Sequence, residues 1–297
     1  MSIFFQNNNY NNIICYCEES NLKIPVKIPE DVDLTLRNDT VFIIGNNKNL
    51  IINNHFFKKV LNVSRYNFVF KNKKYYLEKI EDENNINYYE NENLILFILE
   101  SPHKNEYKLI RNQINKQKTI TEILPIAPAS RTTGNNLNLY LQRLLRNIFS
   151  IKNNLLNKNE YKIIIANPVP YQCSLSSLYK KPKKLNQSLR DAVWIKFWNN
   201  KIIKKDFDEI LNKLCKSNSV DLIINACTGG LSNIVSNDNG IIPNKRLNNI
   251  FIRYLTKKFK EILPIIANTN HPSSWPDYCY YTFYCNNKIG DAIKFNV

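Results

Sequence analysis

Leu94-Ile95-Leu96-Phe97-Ile98-Leu99-Glu100-Ser101-Pro102-His103 sets an unbroken apolar run directly ahead of an abrupt polar turn. A run of that length, ended by a turn, reads as a strand buried on both faces, as in a parallel sheet. Three later runs repeat the design: Lys162 to Ala166, Asp221 to Ala226 and Leu263 to Ala267. Helical periods lie between them. Leu137, Tyr140, Leu141, Leu144, Leu145, Ile148 and Phe149 form one stripe at i, i+3, i+4 and i+7 spacing, and Leu247, Ile250, Phe251, Tyr254, Leu255, Phe259 and Ile262 form another. Segments around Leu189 to Ile203 and Phe207 to Leu214 are further helices. The pattern predicts an α/β fold: a three-layer sandwich with a roughly four-stranded parallel sheet, joined by right-handed crossovers.

Upstream of residue 91 the texture differs. Val41 to Ile44, Leu50 to Ile52, Asn67 to Phe70 and Tyr75 to Ile80 are strand candidates, with Lys71-Asn72-Lys73-Lys74 as a hairpin turn. We therefore expect a β-rich N-terminal accessory region over 1–90 and the α/β domain over 91–297, with the acid- and Asn-rich stretch Glu81 to Asn93 as linker.

The 297 residues, 43% of them hydrophobic, suffice for a large core and argue against disorder. With 41 Lys and Arg against 25 Asp and Glu the net charge is +16, which points to a polyanionic partner such as nucleic acid. The over-use of Asn, Ile, Lys and Tyr that an AT-rich genome produces accounts for part of this excess. No apolar run approaches the roughly 20 residues of a membrane span, and Met1-Ser2-Ile3-Phe4-Phe5 lacks the charged start of a signal peptide. A soluble cytoplasmic chain, nucleoid-associated if bacterial, and monomeric, is expected. Seven Cys at irregular spacing fit free thiols rather than a disulfide framework or a metal set.

In parallel sheets ligands bind beyond the carboxyl ends of the strands. Those ends carry Glu100-Ser101-Pro102-His103, Asn167-Pro168-Val169-Pro170-Tyr171-Gln172, Cys227-Thr228-Gly229-Gly230 and Asn270-His271-Pro272-Ser273-Ser274-Trp275. Their order and content resemble the uracil-DNA glycosylase superfamily over about residues 94 to 280. Leu99 to Glu106 is similar to the Gly-Glu-Ala-Pro-Gly-x-x-Glu motif of the iron-sulfur branch. Gly134-Asn135-Asn136-Leu137 resembles the Gly-x-x-Leu that opens the next helix, Ile163 to Asn167 the strand ending in a base-reading Asn, and His271 to Trp275 the late His-Pro-Ser-Pro-Leu.

The resemblance implies a monofunctional DNA glycosylase that removes a uracil-like or modified pyrimidine by water attack, in repair or in defence against foreign modified DNA. No strand-end Lys stands ready to form a Schiff base. Cleaving the N-glycosidic bond requires an oriented water, tolerance of a cationic sugar and stabilisation of the departing base anion. Asn167 can donate to and accept from one base edge, or cap the turn before Pro168. His271 can donate to the leaving base. Glu100 or Ser101 would hold the water, although the family places Asp, Asn or a small residue where Ser101 stands; Glu106 is a further carboxylate, or a first-turn helix acid.

His103 replaces a Gly or a thymine-excluding aromatic, so with Tyr171 it would shape an altered base pocket. Trp275 occupies the position of the apolar wedge that assists base flipping, a place that a core or lid aromatic fills equally well, with Ser273 beside it at the DNA. Lys180, Lys181, Lys183 and Lys184 would grip phosphates or simply line a solvated loop. Trp194, Phe197 and Trp198 read as packing. The cluster-binding Cys spacing of the iron-sulfur branch is absent, so no cofactor and no metal is expected. Two other readings remain open, a non-catalytic nucleic-acid-binding protein on the same fold and a nucleoside or nucleotide N-glycosidase.

Overall fold

The computed structural model describes residues 12–17, 22–27, 32–37, 40–45, 55–58, 60–80, 90–103, 106–114, 117–130, 132–152, 156–171, 173, 194, 197–199, 201–228, 235–236, 240–241, 247–259, 264–277, 279–285, 288–289 and 293–295. They fall into two compact units. One comprises 1–61, 101–128 and 169–203, and the other 62–100, 129–168 and 204–297.

In the first unit, β1 (Asn12–Cys17) pairs with β2 (Leu22–Lys27), and β3 (Val32–Arg37), β4 (Thr40–Gly45) and β5 (His55–Lys58) make a three-stranded antiparallel sheet. The candidate strand Val41 to Ile44 is thus present, whereas Leu50 to Ile52 lies outside the described residues. Tyr171 packs on Phe197, and Trp194 stacks on Trp198, all four buried. The helix expected over Leu189 to Ile203 lies largely outside the described residues.

The second unit is built on a nine-stranded mixed sheet. β6 (Val63–Lys71) and β7 (Lys74–Lys79) form a hairpin whose turn residues Asn72 and Lys73 sit at φ 49° and 63°. Two consecutive left-handed residues are what a tight hairpin needs to follow the strand twist. β8 (Asn93–Ile98) is the first strand read from the sequence. β9 (Tyr107–Ile114) and β10 (Gln117–Pro125), which belong to the first unit, form an unexpected hairpin after it. The chain then continues through α1 (Thr132–Ile151), β11 (Glu160–Ala166), α2 (Lys201–Ser217) and β12 (Ser219–Asn225). After the short pair β13 (Val235–Ser236) and β14 (Gly240–Ile241) come α3 (Leu247–Lys258), β15 (Ile265–Thr269), β16 (Cys279–Cys285), β17 (Lys288–Ile289) and β18 (Ile293–Phe295).

The sheet order is β17-β16-β15-β12-β8-β11-β6-β7, with β18 also on β16. β15, β12, β8 and β11 are mutually parallel, and antiparallel strands flank them on both edges. This α/β sheet is accordingly wider than the four parallel strands expected. The expected boundary near residue 90 does not mark its edge either, since β6 and β7 are hydrogen-bonded into it.

Both faces of the central strands are buried. Leu94 to Ile98 are all fully inaccessible, which is why the sequence shows a continuous apolar run instead of alternation. Ile95, Phe97, Ile163, Ile165, Leu222 and Ile224 share one core with Leu137, Leu141, Leu144, Leu145 and Ile148 of α1. Asn225 and Asn268, one residue out of phase with that set, meet α3 instead: the Asn225 amide donates to Asn248 O at 2.9 Å and to Asn268 Oδ1 at 2.8 Å. Because successive side chains on a strand alternate faces, α1 and α3 cover opposite sides. α2 packs on α3 through Phe207 and Phe251, ring centroids 5.7 Å apart.

Candidate functional site

The chain order of the parallel strands across the sheet is second, first, third, fourth. Connections therefore leave β8 and β12 in opposite directions, and their carboxyl ends are where a sheet of this order generally binds ligands. Ladder bonds from Leu99 N to Ala166 O (2.9 Å) and from Ala226 N to Ile98 O (2.8 Å) bring these ends into line. The rim thus reads Asn167, Glu100, Cys227 and then Thr269-Asn270-His271. Asn167 and His271 stand three strand spacings apart, roughly 14 Å, with Glu100 and Cys227 between them.

Asn167 is 2% exposed, and its main-chain N–H donates to Asn62 Oδ1 at 3.0 Å. Among the described residues neither amide atom of its own side chain has a hydrogen-bond partner. An Asn capping the turn before Pro168 would bond to the main chain, so that local role is not what holds the residue. Each buried polar atom left unmatched costs about 1–3 kcal/mol, and such atoms are few in native folds.

Glu100 is buried at the end of β8. The Cys227 thiol beside it donates to Leu99 O at 3.1 Å and is pushed well above its usual pKa, first by complete burial and then by the Glu100 carboxylate. Cys227 is thus a buried, protonated thiol packed beside Glu100.

His271 opens a short 3-10 turn, Pro272–Ser274. Its Nδ1 accepts from Ser273 N at 3.2 Å and lies 2.8 Å from Ser273 Oγ. That arrangement leaves the proton of a neutral ring on Nε2, the donor form. The turn is well braced. Ser274 Oγ donates to His271 O at 2.8 Å, Asn270 Nδ2 to Ser274 Oγ at 2.8 Å, and Asn136 Nδ2 of α1 to Pro272 O at 2.8 Å.

Trp275 is not an exposed wedge. It is fully buried, its indole N–H donates to Asn270 O at 2.9 Å, and its ring stands edge-on to Phe97 at 5.9 Å. The residue anchors the turn from beneath, the packing role that was its alternative. Ser273, by contrast, is exposed.

A cluster absent from the sequence reading supports this end of the sheet. Asn225, Asn248 and Asn268 are all buried. Besides the Asn225 bonds above, Cys227 N donates to Asn225 Oδ1 at 3.2 Å, and Asn248 Nδ2 donates to Cys227 O (3.2 Å) and Thr269 O (3.1 Å). The signal was an Asn closing each of two apolar runs. The abundance of Asn throughout the chain hid it.

Ser101, His103 and Tyr171 belong to the other unit. Ser101 is partly exposed and His103 exposed, its carbonyl accepting from Glu106 N at 2.8 Å. Tyr171 is buried against Phe197, with ring centroids 5.8 Å apart, so its ring serves packing rather than presenting a face to a base. Lys180, Lys181, Lys183, Lys184, Gly229 and Gly230 lie outside the described residues. Among the described residues Cys173, Cys215, Cys227 and Cys279 are free thiols, no group of three or more His, Cys, Asp or Glu could hold a metal ion, and no helix is long and apolar enough to cross a membrane.

Compared with family models, curated proteins and solved structures, the chain matches none.

Proposed function

We propose that this protein is a monofunctional N-glycosylase acting on a pyrimidine nucleotide of DNA, with its base bound beyond the carboxyl ends of the parallel strands. The observation that carries the reading is the Asn167 amide, buried and unmatched on both its donor and its acceptor. A pyrimidine edge offers the complementary pair, so a bound base would satisfy both atoms at once.

In this reading the base is held across the rim between the Asn167 amide and the His271 imidazole. In this scheme Glu100 orients a water whose oxygen attacks C1′ of the sugar. The bond from C1′ to the base nitrogen breaks, its electron pair leaves with the base, and the water proton passes to Glu100 or solvent. His271 donates from Nε2 to the base carbonyl, where negative charge accumulates. The uracil-glycosylase-like three-layer arrangement around a parallel quartet is part of this proposal, as are a DNA partner suited to the charge of +16 and a role in repair or in defence against modified DNA.

The buried Trp275 favours one modification. With no wedge from that position, the substrate is a base already unpaired, or a free nucleoside or nucleotide. Incubating the protein with uracil-containing and modified single strands, duplexes and deoxynucleosides, then assaying base release, separates these cases. Release that weakens steeply with salt marks a strand substrate, salt-insensitive release a nucleoside, and no release from any of them contradicts the proposal.

A further inference from the structure

Opposite the strand-end rim, where β11 begins, a second hollow of about 390 Å³ lies between the tip of the β6–β7 hairpin and the last turns of α1. Its size falls within the range of small-ligand sites. Phe70, Tyr75 and Phe149 supply its aromatic surface, and Lys73, Lys74 and Arg146 its charge. β11 spans seven residues, so this hollow and Asn167 are roughly 20 Å apart.

The rings are fixed in place. Tyr75 stacks on Phe68 at 4.8 Å and meets Phe149 edge-on at 4.8 Å, while its hydroxyl donates to Lys158 O at 2.8 Å. Phe70, tilted against Tyr75 at 4.9 Å, is 43% exposed and offers a large apolar ring to solvent. The cations are available. Lys71 is paired with Glu78, whereas among the described residues neither Lys73 nor Lys74 has a carboxylate partner. Arg146 is held by its Nε bond to Tyr75 O at 2.7 Å and lies 5.3 Å over the Tyr76 ring. The last-turn carbonyls of α1 disfavour an anion on their side, which directs negative charge toward the hairpin lysines.

A planar ring and an anion joined at short distance describe a nucleotide. We infer that this hollow binds one nucleotide unit, its base stacked on Phe70 and its phosphate held by Lys73, Lys74 and Arg146. The unit is either a free nucleotide or one residue of a single strand. Base stacking on aromatic rings tolerates any base, and lysines add the salt-dependent attraction to phosphate. The inference is independent of the glycosylase reading, because it uses none of the rim residues.

The test is calorimetric titration of the full-length protein and of the K73E/K74E, F70A and N167A variants with dAMP, deoxyadenosine, inorganic phosphate and a (dA)10 strand. The substituted hairpin residues are exposed, and circular dichroism verifies that each variant folds. We expect dAMP to bind the parent protein at least tenfold more tightly than either deoxyadenosine or phosphate alone. K73E/K74E should weaken dAMP at least tenfold and F70A about fivefold, with N167A unchanged. A (dA)10 affinity well above that of dAMP, lost in K73E/K74E, identifies a strand as the source. Affinity for dAMP with no gain for (dA)10 identifies a free nucleotide. Absence of dAMP and (dA)10 binding, or binding that K73E/K74E leaves intact, overturns the inference.

Discussion

At Asn167 the proposed function and stability pull apart. A buried amide with two unmatched atoms destabilises the ligand-free fold, and an apolar residue of similar shape removes that penalty. Asn167→Leu should therefore raise the unfolding free energy by about 1 kcal/mol, measured in urea, while eliminating base release. A loss of stability in this variant would mean that the amide is a structural bond. Cys227 supports the same rim differently: burial and the Glu100 carboxylate keep its thiol protonated. Alkylation of the native protein at pH 8 followed by peptide mass mapping should find Cys227 unmodified until denaturant is added. Rapid native labelling would show that the thiol is not buried.

At the scale of elements, two devices hold the site's frame. The Asn225–Asn248–Asn268 cluster ties β12, α3 and β15 together, so Asn225→Ala strands several buried partners and should cost about 3 kcal/mol in equilibrium unfolding. The first turn of α1 approaches the preceding loop so closely that a Cβ at Gly134 would lie 1.9 Å from Ala129 O. Gly134→Ala should thus lose about 2 kcal/mol, while Asn135→Ala, exposed on the same turn, should change little. Much of this frame was legible in advance. The four apolar runs, the Leu137 stripe, the described part of the Leu247 stripe and the Lys71 to Lys74 turn stand where periodicity and turn chemistry put them, because both are local properties of the chain. The flanking antiparallel strands were not, although Cys279-Tyr-Tyr-Thr-Phe-Tyr-Cys285 carries strand-forming aromatics. Which edge a strand joins is decided by long-range pairing that leaves no local mark. Trp275 shows the same limit for a side chain. Its sequence position suited a wedge, and only the contact with Phe97 and the bond to Asn270 reveal an anchor.

For the whole molecule, burial raises several groups that lose protons at alkaline pH. Tyr161 is pushed up to about 12, and Tyr75, Tyr281, Cys215 and Cys227 also move up, burial being the leading cause for each. In each case the folded state keeps a proton that the unfolded chain releases sooner. Their stabilising contribution is complete below about pH 9 and is lost as pH rises toward 12. Thermal melts from pH 8 to 12 should show Tm falling through that window, and a flat profile would indicate that these groups are solvated. The net charge of +16 acts at the same scale, and under the proposed function it would favour a phosphate backbone irrespective of its sequence. Chemistry at the rim is nevertheless the central claim. Its most direct test is mass spectrometry of the bases set free from a panel of natural and modified pyrimidine DNAs by the parent protein and by Asn167→Ala. The account predicts a free pyrimidine from at least one substrate, abolished in the variant. Intact glycosidic bonds throughout the panel, or release that Asn167→Ala leaves undiminished, would contradict it.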